Sequence, residues 1–170
     1  MKSLWNINVR WLTMQEEIII IDKKFEDIAR QVIDMTPEKW DVIKLYADVS
    51  DDALQVFFYY TPLNGGDPIS SHSIPELFNI SSNDYRKKRN ELLFLVTDLY
   101  DLYKDTNEKA WTQFTLSIDQ VLHMKIDFQY TDIRKNTPMY NQVVWVYEQF
   151  GVKPKSSYGI DLLNEYLEKQ

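Results

Sequence analysis

Two histidines are the side chains best suited to acid–base chemistry near neutral pH, and neither lies in a recognisable catalytic pattern. His72 follows Ser70 and Ser71 in a segment rich in turn residues, and His123 lies in a later alternating segment. A Ser/His/acid site needs a positioned nucleophile, an orienting carboxylate and oxyanion donors, and no G-x-S-x-G elbow surrounds these serines. We therefore expect His72 to order its loop through a hydrogen bond rather than to catalyse a reaction.

Paired carboxylates are the second source of possible chemistry. Asp51 with Asp52, and Asp127 with Asp132, could hold magnesium, because hard cations prefer oxygen ligands. No H-E-x-x-H motif or other metal-ligand spacing accompanies them, and the absence of cysteine removes thiolate zinc sites. The sequence thus predicts no metal, no cofactor and no enzymatic activity. A small hydrolase that uses His72 as a base, or Asp127 at a metal, is the enzymatic alternative.

The charge balance indicates which partners the chain could bind. It has 170 residues, with 19 Lys and Arg against 26 Asp and Glu, and a formal net charge of −7. Proteins that bind nucleic acid gain affinity by neutralising phosphates with basic side chains, so we expect no direct nucleic-acid binding. The basic run at residues 86–89 fits the solvated first turns of an amphipathic helix. A basic protein is the partner that this charge favours.

The apolar runs and the first residues indicate the compartment. The runs at residues 18–21 and 92–96 are far shorter than the roughly 20 residues that cross a bilayer, so no membrane segment is predicted. Residues 1–13 have polar interruptions and no small-residue cleavage site, unlike a secretory signal. They also contain no acid, whereas two glutamates follow Met14. We expect residues 1–13 to be a leader outside the natural domain, residues 14–170 to be the domain, and its location to be the cytoplasm.

Hydrophobic periodicity predicts the elements that position these side chains. Apolar residues recur every three or four positions in three segments and alternate in four others, which indicates helices and strands respectively. The predicted helices are 18–35, 82–105 and 138–150, with a short one at 160–167, and the predicted hairpins pair 40–49 with 54–61 and 112–118 with 122–130. Residues 62–75 form a long loop. The order α-β-β-α-β-β-α predicts a single α+β domain with an antiparallel sheet and helices packed on one side.

Aromatic and acidic residues alternate around the first predicted hairpin. Aromatic anchors supply buried area at protein interfaces, and carboxylates steer a basic partner. We interpret these residues, with one carboxylate of the last predicted strand, as interface candidates. They are Tyr46, Asp48, Asp51, Asp52, Tyr59 and Asp127. The alternative interpretation is that a helix or the leader covers this face, and composition favours neither.

Several short motifs resemble the YezG/EsaG-like immunity protein family. These are residues 33–37 with Trp40, residues 45–49 and 56–59, the segment Ser-His-Ser-Ile-Pro that contains His72 and Pro75, and later Trp111, residues 125–128, Trp145 and residues 151–154. Together they span residues 22–154. Family members are antitoxins that accompany LXG-type or related nuclease toxins of type VII secretion in Gram-positive bacteria.

The resemblance implies a non-enzymatic cytoplasmic protein that binds the nuclease domain of its toxin and keeps it inactive until export. It implies a basic nuclease domain as the partner, with no direct nucleic-acid or membrane contact, and it transfers no catalytic residue. A structural role is implied for the motif residues. These are Trp40, His72, Pro75, Trp111 and Trp145. A protein-binding adaptor that does not inhibit is the non-enzymatic alternative.

Overall fold

The computed structural model describes residues 4–50, 53–106 and 110–170. Helices and strands follow one another along these residues in the predicted order, with three short additions. The elements are α1 Leu4–Met35, β1 Trp40–Val49, β2 Leu54–Pro62, β3 Ile69–Ser70, α2 Ile74–Leu77, α3 Ser82–Thr106, β4 Gln113–Asp119, β5 Met124–Gln129, a 3-10 turn Ile133–Lys135, α4 Pro138–Phe150 and α5 Ser157–Leu167.

The five strands form one antiparallel sheet in the order β3-β2-β1-β4-β5. Both predicted hairpins and the α+β class are confirmed. One row across the sheet joins Phe57, Tyr46, Thr115 and Asp127, from β2 through β1 and β4 to β5. Since side chains alternate along a strand, every residue of this row points to the same face.

Helices α1 and α3 cover one face of the sheet, which we call the α1 face. Lys24 of α1 pairs with Asp98 of α3, and Gln31 of α1 donates to the carbonyl oxygen of Lys88, so the two helices run antiparallel. The main core lies between these helices and the sheet. Its fully buried members include Ile28, Val32, Ile43, Leu45, Phe58, Val96, Leu99, Phe114 and Leu116. Burying each such side chain contributes about 1.5–3 kcal/mol, so this face dominates stability.

The opposite face of the sheet, which we call the α4 face, is also covered. Trp145 and Val146 of α4 pack on Tyr46 and Phe57, and α5 packs in turn on α4. The prediction that the helices pack on one side of the sheet describes α1 and α3. It is wrong for α4, which packs on the opposite side. The physical reason is that β1 and β2 present aromatic side chains on both faces, so the second face also needs an apolar cover.

Local signals explain where the helices begin and end. Helix α4 begins after Thr137, whose Oγ1 accepts from the backbone N–H of Tyr140 at 3.2 Å, and it ends at Gly151 with φ +67°. Helix α1 ends at Met35, two residues before Pro37, as predicted. It extends back through residues 4–13, so the predicted leader boundary coincides with no break in the helix and stays a prediction. Within the described ranges, no helix is both long and apolar enough to span a bilayer.

Two predicted loops differ from the structure. The segment at residues 62–75 contains β3 and the first turn of α2, both too short to show a period in sequence. Residues 120–123 connect β4 to β5, so β5 begins two residues later than predicted. Asp119 Oδ1 accepts from the backbone N–H groups of Val121 and His123, both at 2.9 Å, which stabilises this connection.

Candidate functional site

An aromatic cluster lies between α4 and the sheet. The Tyr46 and Phe57 rings stack at 4.9 Å, and the Trp145 ring meets them edge-on at 5.5 and 5.3 Å. Tyr59 and Phe150 extend the cluster, with their ring centres 5.8 Å apart. Aromatic pairs in this geometry add about 0.5–1.5 kcal/mol each beyond the area they bury. Helix α4 is therefore firmly held over β1 and β2.

Polar groups buried beneath α4 are hydrogen-bonded to one another. Trp145 Nε1 donates to Thr115 Oγ1 at 2.9 Å, and Gln113 Nε2 donates to the same oxygen at 3.1 Å. The Tyr46 hydroxyl donates to Asp48 Oδ2 at 2.7 Å. Burial raises the pKa of Asp48, although this hydrogen bond and the backbone of Gln55 partly oppose the shift. Burial also raises the pKa of Tyr46, so its hydroxyl stays protonated at neutral pH.

This burial corrects the predicted interface at two positions. Tyr46 is 3% exposed and Asp48 is 6% exposed, so neither reaches a partner while α4 is in place. The alternative interpretation, in which a helix covers this face, therefore applies to both residues. Their structural task is to fix the position of α4. The apolar positions of α4, especially Val143 and Val146, were the sequence signal that could have shown this.

Two other interface candidates remain near the surface. Tyr59 is half-buried and lines a cavity of about 220 Å³ between α4 and residues 152–156. Asp127 is exposed on β5 and pairs with Lys125 at 2.9 Å. With Gln129, these two β5 residues form an uncovered polar strip of the α4 face. Tyr59 and Asp127 thus share a face, and they are separated by three strand spacings, about 14 Å across the sheet, and by two residues along the strands.

The remaining two interface candidates, Asp51 and Asp52, lie outside the described residues. They follow Ser50 and precede Ala53, between β1 and β2. The backbone N–H of Ser50 donates to the Ala53 carbonyl oxygen at 2.8 Å, which closes this hairpin end.

The tryptophans of the family motifs are buried or half-buried and pack on apolar side chains. Trp111 is fully buried in the core, with ring centres 4.9 Å from Phe114 and 5.2 Å from Tyr100. Trp40 is half-buried at the start of β1 and packs on the same core. Within the described residues, the indole N–H groups of Trp40 and Trp111 have no hydrogen-bond partner, whereas that of Trp145 has one.

His72 lies at the edge of the sheet, and the loop hydrogen bond predicted for it is made by its backbone N–H, whereas its ring makes none within the described residues. Ser71 Oγ accepts from the backbone N–H of Phe58 at 3.2 Å, and Ser70 Oγ accepts from that of His72 at 3.3 Å. The serines therefore supply the ordering hydrogen bonds. The His72 ring instead faces Phe57 at 6.5 Å, and both His72 and Pro75 line a cavity against α3.

The residues of the enzymatic alternative do not form one site. His72 follows β3 at one edge of the sheet, and Asp127 lies on β5 at the other, four strand spacings or about 19 Å away. In the part of the chain that the structure describes, no group of three or more His, Asp or Glu side chains could hold a metal ion.

Two features of α3 were missed by the sequence analysis. Phe94 is 67% exposed, although it lies within an apolar run. Arg89, in the basic run at residues 86–89, lines the same cavity as His72. The spacing of α3 could have identified Phe94, because it lies between the stripe positions Leu92 and Val96 on the outer side of the helix.

Comparisons with known proteins agree with the residue motifs. A family model described as immunity protein YezG-like matches residues 21–164. Immunity protein YezG of Bacillus spizizenii is 33% identical over 145 residues, covering 84% of this chain and 90% of that protein. Immunity protein YezG of Bacillus subtilis is 28% identical over 145 residues, covering 84% and 96%. The type VII secretion system protein EsaG of Staphylococcus aureus is 26% identical over 156 residues, covering 91% and 94%.

These matches span both faces of the sheet, from the core half of α1 to α5. They include the aromatic cluster beneath α4 and the segment that contains His72. The chain belongs to the YezG-like immunity protein family.

Proposed function

We propose that this chain is an immunity protein that binds the nuclease domain of a cognate secreted toxin and inhibits it in the cytoplasm of the producing cell. The observation that supports this most is the family match over residues 21–164, joined to relatives named as immunity proteins and as a type VII secretion system protein. The action is binding alone, without catalysis.

The charge of the chain suits a nuclease as the partner. A nuclease domain presents basic side chains to the phosphates of its substrate, and this chain has a formal net charge of −7. Opposite charges accelerate the encounter of two proteins, and buried aromatic contacts slow their separation. An acidic protein can therefore occupy a nucleic-acid groove ahead of the substrate.

The contact surface that we propose includes Asp51 and Asp52, which lie in the chain between β1 and β2, Tyr59 on β2 and Asp127 on β5. Asp127 is exposed, and Tyr59 lies at the margin of the aromatic cluster. Tyr46 and Asp48 contribute indirectly, because they hold α4 in position beside this surface.

The test uses the purified chain and the nuclease domain encoded next to it. Complex formation is measured by size-exclusion chromatography, and cleavage of DNA and of RNA is measured on the same mixtures. We expect a stable complex in which cleavage of the nuclease's own substrate is abolished. A stable complex with full nuclease activity would make the chain an adaptor and contradict the proposal.

A control addresses the enzymatic alternative. The chain alone is incubated with nucleic acids and esters in the presence of magnesium, beside the variants His72→Ala and Asp127→Asn. We expect no turnover in any sample. Turnover that either variant removes would show a hydrolase instead.

A further inference from the structure

The outer edge of β5 is an open edge of the sheet. In the strand order β3-β2-β1-β4-β5 this strand is the last, and within the part of the chain that the structure describes β4 is its one strand partner. An unpaired edge is a template for a further strand, and proteins usually block it with a proline, a bulge or a charged side chain. β5 has neither a proline nor a bulge, and its charged side chains are Lys125 and Asp127.

The backbone groups that face this open edge belong to every second residue of β5. The backbone N–H of Asp119 donates to the His123 carbonyl oxygen at 3.1 Å, which makes these two residues a hydrogen-bonded pair between β4 and β5. Hydrogen-bonded pairs alternate along antiparallel strands, so every second residue counted from His123 points its backbone groups towards β4. The residues between them therefore direct their N–H and C=O groups outwards. They are Met124, Ile126 and Phe128.

The charged side chains of β5 are self-complementary. Lys125 and Asp127 both point to the α4 face, where they pair with each other at 2.9 Å while each is more than half exposed. In a second β5 that runs antiparallel, with the two Ile126 residues opposite each other, Lys125 of each copy lies directly across from Asp127 of the other. Opposite charges across two strands stabilise the pairing. The side chains that usually block an edge thus favour this one partner.

The same charges disfavour the neighbouring registers. Moving the two-fold axis one residue towards the start of β5 places Lys125 opposite Lys125 of the second copy, and moving it the other way places Asp127 opposite its own counterpart. Both registers bring like charges together, which destabilises a strand pair. With the axis at Ile126, moreover, Met124 lies opposite Phe128 of the second copy, so all three outward-facing residues of the strand find backbone partners.

Exposed apolar side chains follow the same symmetry. Met124 points to the α1 face and is 42% exposed, and in this register it meets Phe128 of the second copy. A thioether beside an aromatic ring is a favourable contact. Leu122 and Tyr130 flank β5, are 61% and 45% exposed, and stand four positions on either side of Ile126. A second copy would therefore cover apolar surface at both ends of the strand.

We propose that β5 pairs antiparallel with β5 of a second copy of this chain, with Ile126 at the two-fold axis, and that the two sheets join into one. This inference goes beyond the proposed function, and its test uses the chain without a nuclease. A strand of six residues gives a small interface, so the dimer belongs at the weak end of specific protein association.

Sedimentation of the full chain measures its mass as a function of concentration. The range runs from about 10 µM to about 1 mM, where interfaces of this size associate. We expect the mass to rise from 20.3 kDa towards twice that value as the concentration increases. A chain that stays monomeric at the highest concentration would overturn the proposal.

Charge variants test which side chains meet. Lys125→Asp and Asp127→Lys should each weaken self-association at least about tenfold, because both cross-strand pairs then carry like charges. An equimolar mixture of the two variants should recover the dimer, since reversed charges again face opposite ones. Asp161→Lys, at an exposed position of α5, is the matched control and should leave self-association unchanged. Urea denaturation shows that each variant is folded. Unchanged self-association in both variants, or a folded mixture that stays monomeric, would refute the pairing.

An introduced cysteine reports the register, because the chain has no cysteine of its own. Under mild oxidation Ile126→Cys should form a disulfide-linked dimer, since opposite Cα atoms in this pairing lie about 5.5 Å apart, within disulfide range. Met124→Cys is the control on the same face. It should crosslink far less, because the two copies of residue 124 lie about 14 Å apart along the strands. Equal crosslinking of the two variants, or more in Met124→Cys, would contradict the register.

The nuclease is the other occupant to test, since Asp127 also belongs to its proposed contact surface. Amide hydrogen exchange at Met124, Ile126 and Phe128 is followed in the free chain and in the complex. We expect protection in the free chain that grows with its concentration. A free chain that stays monomeric, with protection only after the nuclease binds, would assign this edge to the nuclease and contradict the proposal. Failure of the nuclease to bind would affect the proposed function and leave the self-association result intact.

Discussion

At the scale of single residues, the Trp145 indole links α4 to the sheet. Its Nε1 donates to Thr115 Oγ1, and its ring contacts both Tyr46 and Phe57. A buried hydrogen bond of this kind contributes about 0.5–1.5 kcal/mol net. Trp145 is thus both an apolar contact and a polar one, and the two can be separated by substitution.

We expect Trp145→Phe to lower the free energy of unfolding by about 1–2 kcal/mol, because the hydrogen bond and part of the ring contact are lost. Urea denaturation measures this change. The matched control is Trp40→Phe, at an indole N–H that has no hydrogen-bond partner within the described residues. A loss in Trp145→Phe no larger than that in Trp40→Phe would show that the hydrogen bond to Thr115 contributes nothing.

Asp48 is a second residue whose contribution to the free energy of unfolding can be measured, because it depends on pH. Burial raises its pKa, so the folded state holds this proton more tightly than the unfolded state. Stability linked to Asp48 is therefore present at low pH and is lost as the pH rises through the raised pKa. Ionised Asp48 is a cost to the fold at neutral pH.

Asp48→Asn should therefore unfold at an equal or higher urea concentration than the natural chain at about pH 7, since the amide oxygen still accepts from Tyr46. The difference should shrink as the pH is lowered through the raised pKa of Asp48, because the natural carboxyl then gains its proton. If the variant is less stable at pH 7 and equal once this carboxyl is protonated, ionised Asp48 stabilises the fold and our assignment is wrong.

Sequence reasoning at this scale identified residue types better than their positions. It found the alternation that brings Tyr46, Asp48 and Tyr59 to one face, and it could not decide whether that face was covered. Alternation reports which side chains share a face, whereas the packing of a distant helix such as α4 depends on the whole chain. The place of Arg89 beside the cavity was missed for the same reason, since the side chains of the basic run that line it depend on geometry.

At the scale of elements, the docking of α5 depends on a glycine. The backbone N–H of Gly159 donates to Ser156 Oγ at 3.1 Å, so Ser156 caps the first turn of the helix. A Cβ at position 159 would lie 2.6 Å from Pro154 Cβ, which is closer than packed carbon atoms approach. Pro154 therefore fits against α5 because residue 159 has no side chain.

Gly159→Ala should lower the free energy of unfolding by about 1–3 kcal/mol through this clash. In an ordinary helix the same substitution would raise it by about 1 kcal/mol. Asn164→Ala, at an exposed position of α5, is the control and should be neutral or slightly stabilising. Chemical denaturation measures the sign of this change in the free energy of unfolding. A stabilised Gly159→Ala variant would mean that Pro154 moves away from residue 159 at little cost in free energy.

The elements themselves were largely predictable. Both hairpins and the helices α1, α3 and α4 follow from periods of two and 3.6 residues, with Pro37, Thr137 and Gly151 marking helix ends. The strand β3 and the short helix α2 could not be predicted, because elements of two and four residues are too short to show a hydrophobic period. Residues 69 and 70 form a strand because they pair with the outer edge of β2. No local sequence pattern predicts this pairing.

At the scale of the whole molecule, the proposed encounter with a basic nuclease depends on the charge of the chain. Replacing Asp51 and Asp52 with lysine changes the net charge from −7 to −3, since each reversal adds two units. If these carboxylates steer the encounter, the association rate with the nuclease should fall several-fold, and its dependence on salt should weaken.

The control reverses Asp161 and Glu168, exposed residues at the α5 end, which changes the net charge by the same amount. Stopped-flow association at several salt concentrations compares the two pairs. Equal slowing of association in both double variants would mean that the total charge sets the rate. Asp51 and Asp52 would then have no specific role in the encounter. An unchanged association rate in the Asp51 and Asp52 variant would exclude these two residues from the encounter surface.

We propose that the chain acts by holding a nuclease stoichiometrically, and the breakpoint of an inhibition titration measures that stoichiometry. Nuclease at a concentration far above the dissociation constant is titrated with the chain, and residual cleavage is measured after several incubation times. We predict a linear fall to zero at a molar ratio of about one, identical at every time once binding is complete. Full activity at excess chain, or inactivation that progresses with time at ratios well below one, would contradict it.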